Sequence, residues 1–282
     1  MVRRSQRSGQ SSAGDISALG DEIHGASLLA GAANVIMQLA RRPVGHGVMY
    51  SPVATGNIWE HPIKRTRTTL AYLMTAMRGT DEERRALRKQ IDRVHAHVRS
   101  APDAEVPYNA LDPELQLWVA ACLYRGVEDT YRAFVGELDD ATAEQLYQDG
   151  KRLGTTLQVR EQSWPADLAA FEEYWGKGVQ LIEIDEPTRE YLLGIARLRF
   201  YGRPVSWLLG WFGEFITTGF LHPPFREAMG LRWDERRQRR FDALLRAIRL
   251  ANRVLPRALR EFPLNLVWWD TRRRLRTGKP VI

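Results

Sequence analysis

The stretch TDEERRALRKQIDRVHAHVRS, residues 80–100, opens on a threonine with a glutamate three positions later. That is the spacing of a capping box, in which the Thr80 hydroxyl and the Glu83 carboxylate each take a backbone N–H left unpaired at a helix start. Behind it, Leu87, Ile91, Val94 and Val98 recur at steps of four, three and four. A stripe of that period faces the core of a helical protein. His95 falls inside the stripe, while His97 is turned from it by about 200° on a helix and lies near Lys89 and Arg93. Residues two apart on a helix do not face each other, so the two imidazoles cannot hold one metal. Only His95 is expected to point inward. An inward histidine is either a hydrogen-bonded core residue or an axial ligand to haem iron whose other ring N–H is fixed by an acceptor. The spacing leaves both readings open.

Helical periods recur outward from this segment, and alternating β patterns are scarce. One helix is expected over 16–43, ending at Pro43, followed by a Gly/Pro/Ser loop over 44–57. The next runs from Pro62 to Gly79. After a loop over 101–112, helices start near Asp112, Asp139 and Asp185, with a short one in PADLAAFEEYWGKGV (165–179). The last long one ends before Pro256. The run VSWLLGWFGEFITTGFL (205–221) is too short for a membrane span and carries Glu214, so it reads as a buried helix. The fold class is all-α: a single large multi-helix domain over 19–282, of about ten helices, behind a disordered tail over 1–18.

With 282 residues, 44% hydrophobic and 27% charged, the chain can bury a full core. Its single cysteine, Cys122, excludes an internal disulfide and a Cys-based zinc site and fits a reducing compartment. The net charge of +7 is carried mostly by arginine, dense only in RWDERRQRR (232–240) and DTRRRLRTGK (270–279). Those runs read as solvated faces or structural ion pairs, so no nucleic-acid partner is expected. The alternative is a helical protein that binds anionic partners through its Arg-rich C-terminal third. Arg3 and Arg4 lack the apolar stretch a twin-arginine signal needs, which points to a cytoplasmic protein. GxSxG, Walker and HExxH patterns are missing from the sequence.

On the helix before the opening stretch, Arg65 and Thr69 are spaced i, i+4 and share a face that Tyr72 and Ala76 continue. Leu70, Leu73, Met74 and Met77 form its apolar side. A guanidinium beside a hydroxyl could serve haem propionates or polarise dioxygen. Equally, Arg65 could be a surface residue and Thr69 could bond back to its own helix.

Taken in order, QLARRPVGHGV, RTRTTLAYLMTAMRGTDEE, VHAHVRS, YNALDPELQLWVAACL, YRAFVGELDDATAEQLYQDGKRLG and TTGFLHPPFREAMGLRW resemble the MpaB-type oxygenase family, which includes the latex-clearing rubber oxygenases. The resemblance covers roughly residues 20–240, nearly the whole ordered chain. It implies a latex-clearing-protein-like fold, with globin-like helical packing around a haem pocket. It also implies haem b as cofactor and oxidative cleavage of carbon–carbon double bonds with dioxygen. The family's Arg-x-x-x-Thr element matches Arg65 and Thr69, and its haem-ligating histidine matches His95, set between Val94 and Val98. Three departures stand out. Thr68 replaces a lysine, WVAACL lacks a histidine after WV, and no acidic base is identified, Glu60 being merely nearby. Rubber itself is not the expected substrate. The expectation is a haem-b-dependent oxygenase acting with dioxygen on an apolar, unsaturated small molecule. His95 would be the metal ligand, with Arg65 and Thr69 in the cofactor-binding and catalytic roles. Leu73, Met77 and segment 207–220 would line the pocket, and His46 would enter it or cap a loop. Peripheral membrane contact is expected from such a substrate, and the electron donor is unspecified. A helical scaffold that has lost the cofactor is the remaining alternative.

Overall fold

A computed structural model describes residues 24–53 and 56–282; the tail expected over 1–18 lies outside them. Thirteen α-helices and no strand occur among the described residues, beside an isolated bridge between Arg99 and Asn109. The helices are α1 (Gly31–Leu39), α2 (Arg42–Met49), α3 (Pro62–Arg78), α4 (Asp81–His95), α5 (Pro113–Phe134), α6 (Asp140–Thr155) and α7 (Leu168–Val179). Then follow α8 (Glu186–Ala196), α9 (Arg203–Phe220), α10 (Pro223–Ala228), α11 (Glu235–Val254), α12 (Arg257–Arg260) and α13 (Leu264–Arg276). No described helix is long and apolar enough to cross a membrane.

The N-termini form where side chains replace the missing backbone partners. Thr80 and Glu83 make both halves of the capping box of α4. Asp112, Asp139, Asp167, Asp185 and Asp234 each accept a first-turn N–H.

The core is organised by α5, which packs against α1, α6 and α11. Trp118, Cys122 and Tyr124 on its inner faces have no solvent exposure. Trp118 stacks on Trp175 at 5.2 Å, and Tyr124 meets Phe171 edge-on at 4.9 Å. The Arg125 guanidinium enters this aromatic cluster, 5.0 Å from the rings of both Phe171 and Trp175, and is held by Glu128 at 2.6 Å and Glu172 at 2.7 Å. A buried cation is tolerated there because carboxylates and ring faces replace its hydration. Gly150 on α6 lets that helix close on α5, since a Cβ would come within 2.6 Å of the Tyr124 ring. Burial raises the Cys122 thiol pKa well above its ordinary value, and its carbonyl accepts a 2.6 Å hydrogen bond from Asn34 on α1.

Four expectations need correction. The helix expected over 16–43 is, within the described residues, a 3-10 turn (Gly25–Ala30), then α1, then the start of α2. The loop expected over 44–57 begins as α2, because Pro43 sits in its first turn, where a missing N–H costs no hydrogen bond. Its Gly45 permits close packing: a Cβ would lie 2.9 Å from the Leu39 carbonyl and 3.0 Å from the Thr188 methyl. Helix α4 stops at His95 instead of running on to Arg99, as its apolar stripe led one to expect. The chain is drawn off by Val98, whose carbonyl accepts from Ala110 at 2.9 Å, and by Ser100, whose N–H donates to Tyr108 at 2.9 Å. Finally, the run 205–221 is buried only in its second half. Ile216, Thr217 and Phe220 are in the core, whereas Trp207 and Trp211 lie outside it.

Candidate functional site

The two histidines of the opening stretch separate cleanly. His97 sits in the turn after α4 and is exposed; His95, the last residue of α4, is half-buried. The helix end, more than helical rotation, turns His97 away.

His95 is held by an amide. Its Nδ1 lies 3.3 Å from Oε1 of Gln158, in the segment after α6. The orientation of that amide is dictated at both ends. Its Nε2 donates to the Asp92 carboxylate, which can only accept, and its Oε1 receives Nε2 of Gln116. Gln116 donates in addition to the Ala110 carbonyl at 2.6 Å. A carbonyl oxygen cannot donate, so Nδ1 must carry the ring proton and Nε2 the free lone pair. Desolvation lowers the His95 pKa; the charge of Arg65 lowers it further, against the opposing pull of Gln158 and Asp92. The ring is therefore neutral at pH 7, with its Nε2 available to a metal.

Arg65 stands in the first turn of α3. Its side chain is exposed, yet surrounding protein desolvates it enough to lower its pKa. The Arg65 guanidinium makes no hydrogen bond or salt bridge among the described residues. Its charge acts on His95 from one direction and on Tyr191 of α8 from another. Burial raises the Tyr191 pKa, with Arg65 opposing the shift. Trp59 packs edge-on against Tyr191 at 5.7 Å, over Gly194, where a Cβ would press within 2.5 Å of the indole. The Arg65 charge is thus felt by both His95 and Tyr191, which brings α3, α4 and α8 into one neighbourhood.

Thr69 does not project freely into that space: its hydroxyl donates to the Arg65 carbonyl at 3.0 Å, and Thr68 does the same at 3.0 Å. Leu73 is half-buried and Met77 buried, both in the common core. Segment 207–220 does not line the site as expected; the side chains of Trp207, Leu208 and Trp211 are on the surface. Ala120 and Ala121, where a histidine was sought, are fully enclosed at the contact of α5 with α6. Glu60 is exposed and accepts from Asn57 at 3.2 Å.

His46 lies on α2 and pairs through Nε2 with Asp185 at 2.6 Å, so it ties α2 to the start of α8. Asp185 also accepts from Arg42 Nε at 3.1 Å and from the Thr188 N–H at 3.0 Å. Desolvation would raise the Asp185 pKa, but the hydrogen bonds from Thr188, His46 and Arg42 outweigh it and hold the carboxyl well below its ordinary range.

Among the described residues, no three His, Cys, Asp or Glu side chains converge on a metal position. A single imidazole suits an iron that brings its own equatorial ligands, as a porphyrin does. The unpaired guanidinium of Arg65 suits the carboxylates that such a group carries. The residues present fit haem.

Comparison with known proteins agrees on the lineage. The family described as ER-bound oxygenase mpaB/B'/Rubber oxygenase, catalytic domain, matches residues 22–250. An uncharacterized protein of Mycobacterium bovis and one of Mycobacterium tuberculosis are each 49% identical over 255 residues, covering 90% of this chain and 100% of theirs. No solved structure matches the chain.

Proposed function

The chain belongs to the mpaB/rubber oxygenase catalytic-domain family, and on that premise we propose that it is a haem-b-dependent oxygenase acting with dioxygen on an apolar, unsaturated small molecule. One observation carries the reading. The Nδ1–H of His95 is directed at Gln158, leaving Nε2 as a neutral donor near the charge of the unpaired Arg65 guanidinium.

Haem b, when bound, supplies the iron at which dioxygen is activated. His95 would hold that iron through Nε2, and the Gln158–Asp92 chain fixes the plane and tautomer of the ring. Arg65 would pair with a propionate carboxylate or supply positive charge where oxygen gains negative charge. The Thr69 hydroxyl donates to the Arg65 carbonyl, so Thr69 would act in the cofactor site from its place one turn beyond Arg65. Tyr191 and Trp59 present ring edges to an apolar substrate. A substrate of that kind partitions into lipid, so peripheral membrane contact belongs to the same reading, as does a cytoplasmic location.

The anionic-partner alternative has less support. Arg272 is bound to Glu83 at 3.0 Å, Arg274 to Asp270 at 2.6 Å and Arg257 to Glu261 at 2.6 Å, so much of the C-terminal basicity is matched internally. The deciding experiment is an absorption spectrum of the purified protein, before and after hemin addition and dithionite reduction. A Soret band that shifts on reduction is expected. A preparation that stays colourless after hemin is supplied overturns the assignment.

A further inference from the structure

The first turns of α9 present an apolar stripe to solvent. Pro204, Trp207, Leu208 and Trp211 follow at i, i+3, i+4 and i+7, the spacing that normally faces a core. Here Trp207 is 86% exposed, Trp211 70% and Leu208 61%, with Leu209 and Tyr201 exposed beside them. The stripe stands on a rigid bend: Leu198 and Gly202, on either side of the 3-10 turn Arg199–Tyr201, have φ of 55° and 88°. Its basic border is equally distinct. Residues 197–213 hold three arginines and no acidic residue. Arg197 is paired with Glu214 at 2.5 Å and Arg199 with Glu190 at 3.2 Å, whereas Arg203 makes no salt bridge among the described residues. Between the last two arginines lies a depression of about 700 Å³, lined by Arg199, Gly202, Arg203, Pro204, Ser206 and Trp207.

We propose that this face docks the protein on an anionic lipid bilayer, with Trp207, Leu208 and Trp211 entering the interface and Arg199 and Arg203 receiving lipid phosphates. Tryptophans are at home where acyl chains meet headgroups, because the ring is apolar and its N–H still finds water. Arginines at the rim meet the negative surface potential of the leaflet. A short amphipathic face with a basic edge lies in the interface without spanning it. The unmatched charge of Arg203 beside the exposed tryptophans favours lipid phosphate over a second copy of this chain, whose matching face would repeat that positive charge. The inference deepens the proposed function, since a membrane surface is where an apolar substrate is met.

Flotation of the full chain with vesicles tests it, using phosphatidylcholine alone and phosphatidylcholine mixed with phosphatidylglycerol. Binding to the mixed vesicles should exceed binding to the neutral ones by about 10-fold or more. W207S/W211S should lower it by about 10-fold, R203E should remove the preference for anionic lipid, and W269S, on a remote exposed tryptophan, should change it by less than about 2-fold. Acyl chains brominated near the headgroup should quench tryptophan fluorescence in the wild type and much less in W207S/W211S. The proposal is overturned by failure to float, by equal loss in W269S, by a dimer in sedimentation that W207S abolishes, or by flotation that appears only after residues 1–23 are removed. Colour and flotation are read separately. A haem-free protein that floats ends the enzymatic reading alone, and a haem-loaded protein that does not float ends this one alone.

Discussion

The Nδ1 atom of His95 lies 3.3 Å from Oε1 of Gln158, so the imidazole is set against an amide and not against a carboxylate. An amide fixes the ring without adding charge, and it leaves Nε2 a neutral donor of moderate strength.

Replacing Gln158 therefore separates orientation from charge. Gln158→Leu should weaken hemin binding by about 10–100-fold, because nothing then fixes the ring. Gln158→Glu should retain hemin and, in the haem-free protein, raise the His95 pKa, since a neighbouring carboxylate favours the protonated ring. Hemin titration and the imidazole proton resonances measure the two effects.

His95 and His97 should behave as opposites. His95→Ala should lose the Soret band after hemin addition, and His97→Ala should keep it, with unchanged thermal stability. Loss of haem in neither variant would mean that another residue holds the iron.

Arg65 and Thr69 act at different stages in this scheme. Arg65→Met should weaken hemin binding by about tenfold, the loss of one charge-assisted contact of about 1.5 kcal/mol. Thr69→Val should leave haem content unchanged and shift stability by no more than about 0.5 kcal/mol, since its hydroxyl bonds only to its own helix. Its turnover should fall, and Thr69→Ser should restore it.

The joint between α2 and α8 makes a prediction that does not involve haem. Asp185→Ala removes an N-cap and the partner of both His46 and Arg42, and should cost about 1–2 kcal/mol at neutral pH. The folded-state pKa of Asp185 lies below its unfolded value, so its contribution is complete above about pH 4 and is lost as pH falls through the folded value. The melting temperatures of wild type and variant should accordingly differ most near pH 7, begin to approach each other below about pH 4, and meet only once pH has fallen through the folded-state value.

The sequence carried the helices because their signals are local. Capping aspartates, a capping box and a three-to-four residue apolar period each act within one or two turns. The same locality explains where the reading broke down. Gly45 and Pro43 look like loop residues until α1 and Thr188 are seen to crowd the backbone. The apolar period in 205–221 is real, but a period says nothing of whether a partner helix covers it. At the candidate site, His95 and Arg65 were legible from their faces. Gln158, Tyr191 and Trp59 were not, since each lies far along the chain from the residues it serves and belongs to no pattern of its own. His46 was read as a loop residue because its partner, Asp185, is 139 positions away.

The enclosed thiol of Cys122 has a practical consequence. A folded molecule offers nothing to maleimides or other sulfhydryl reagents, so the rate at which this sulfur is modified becomes a clock for the opening of α5 from its neighbours. A cysteine engineered at an exterior position such as 207 would be the sole rapid attachment point for a dye. A single label could then report where the surface of the protein comes to rest.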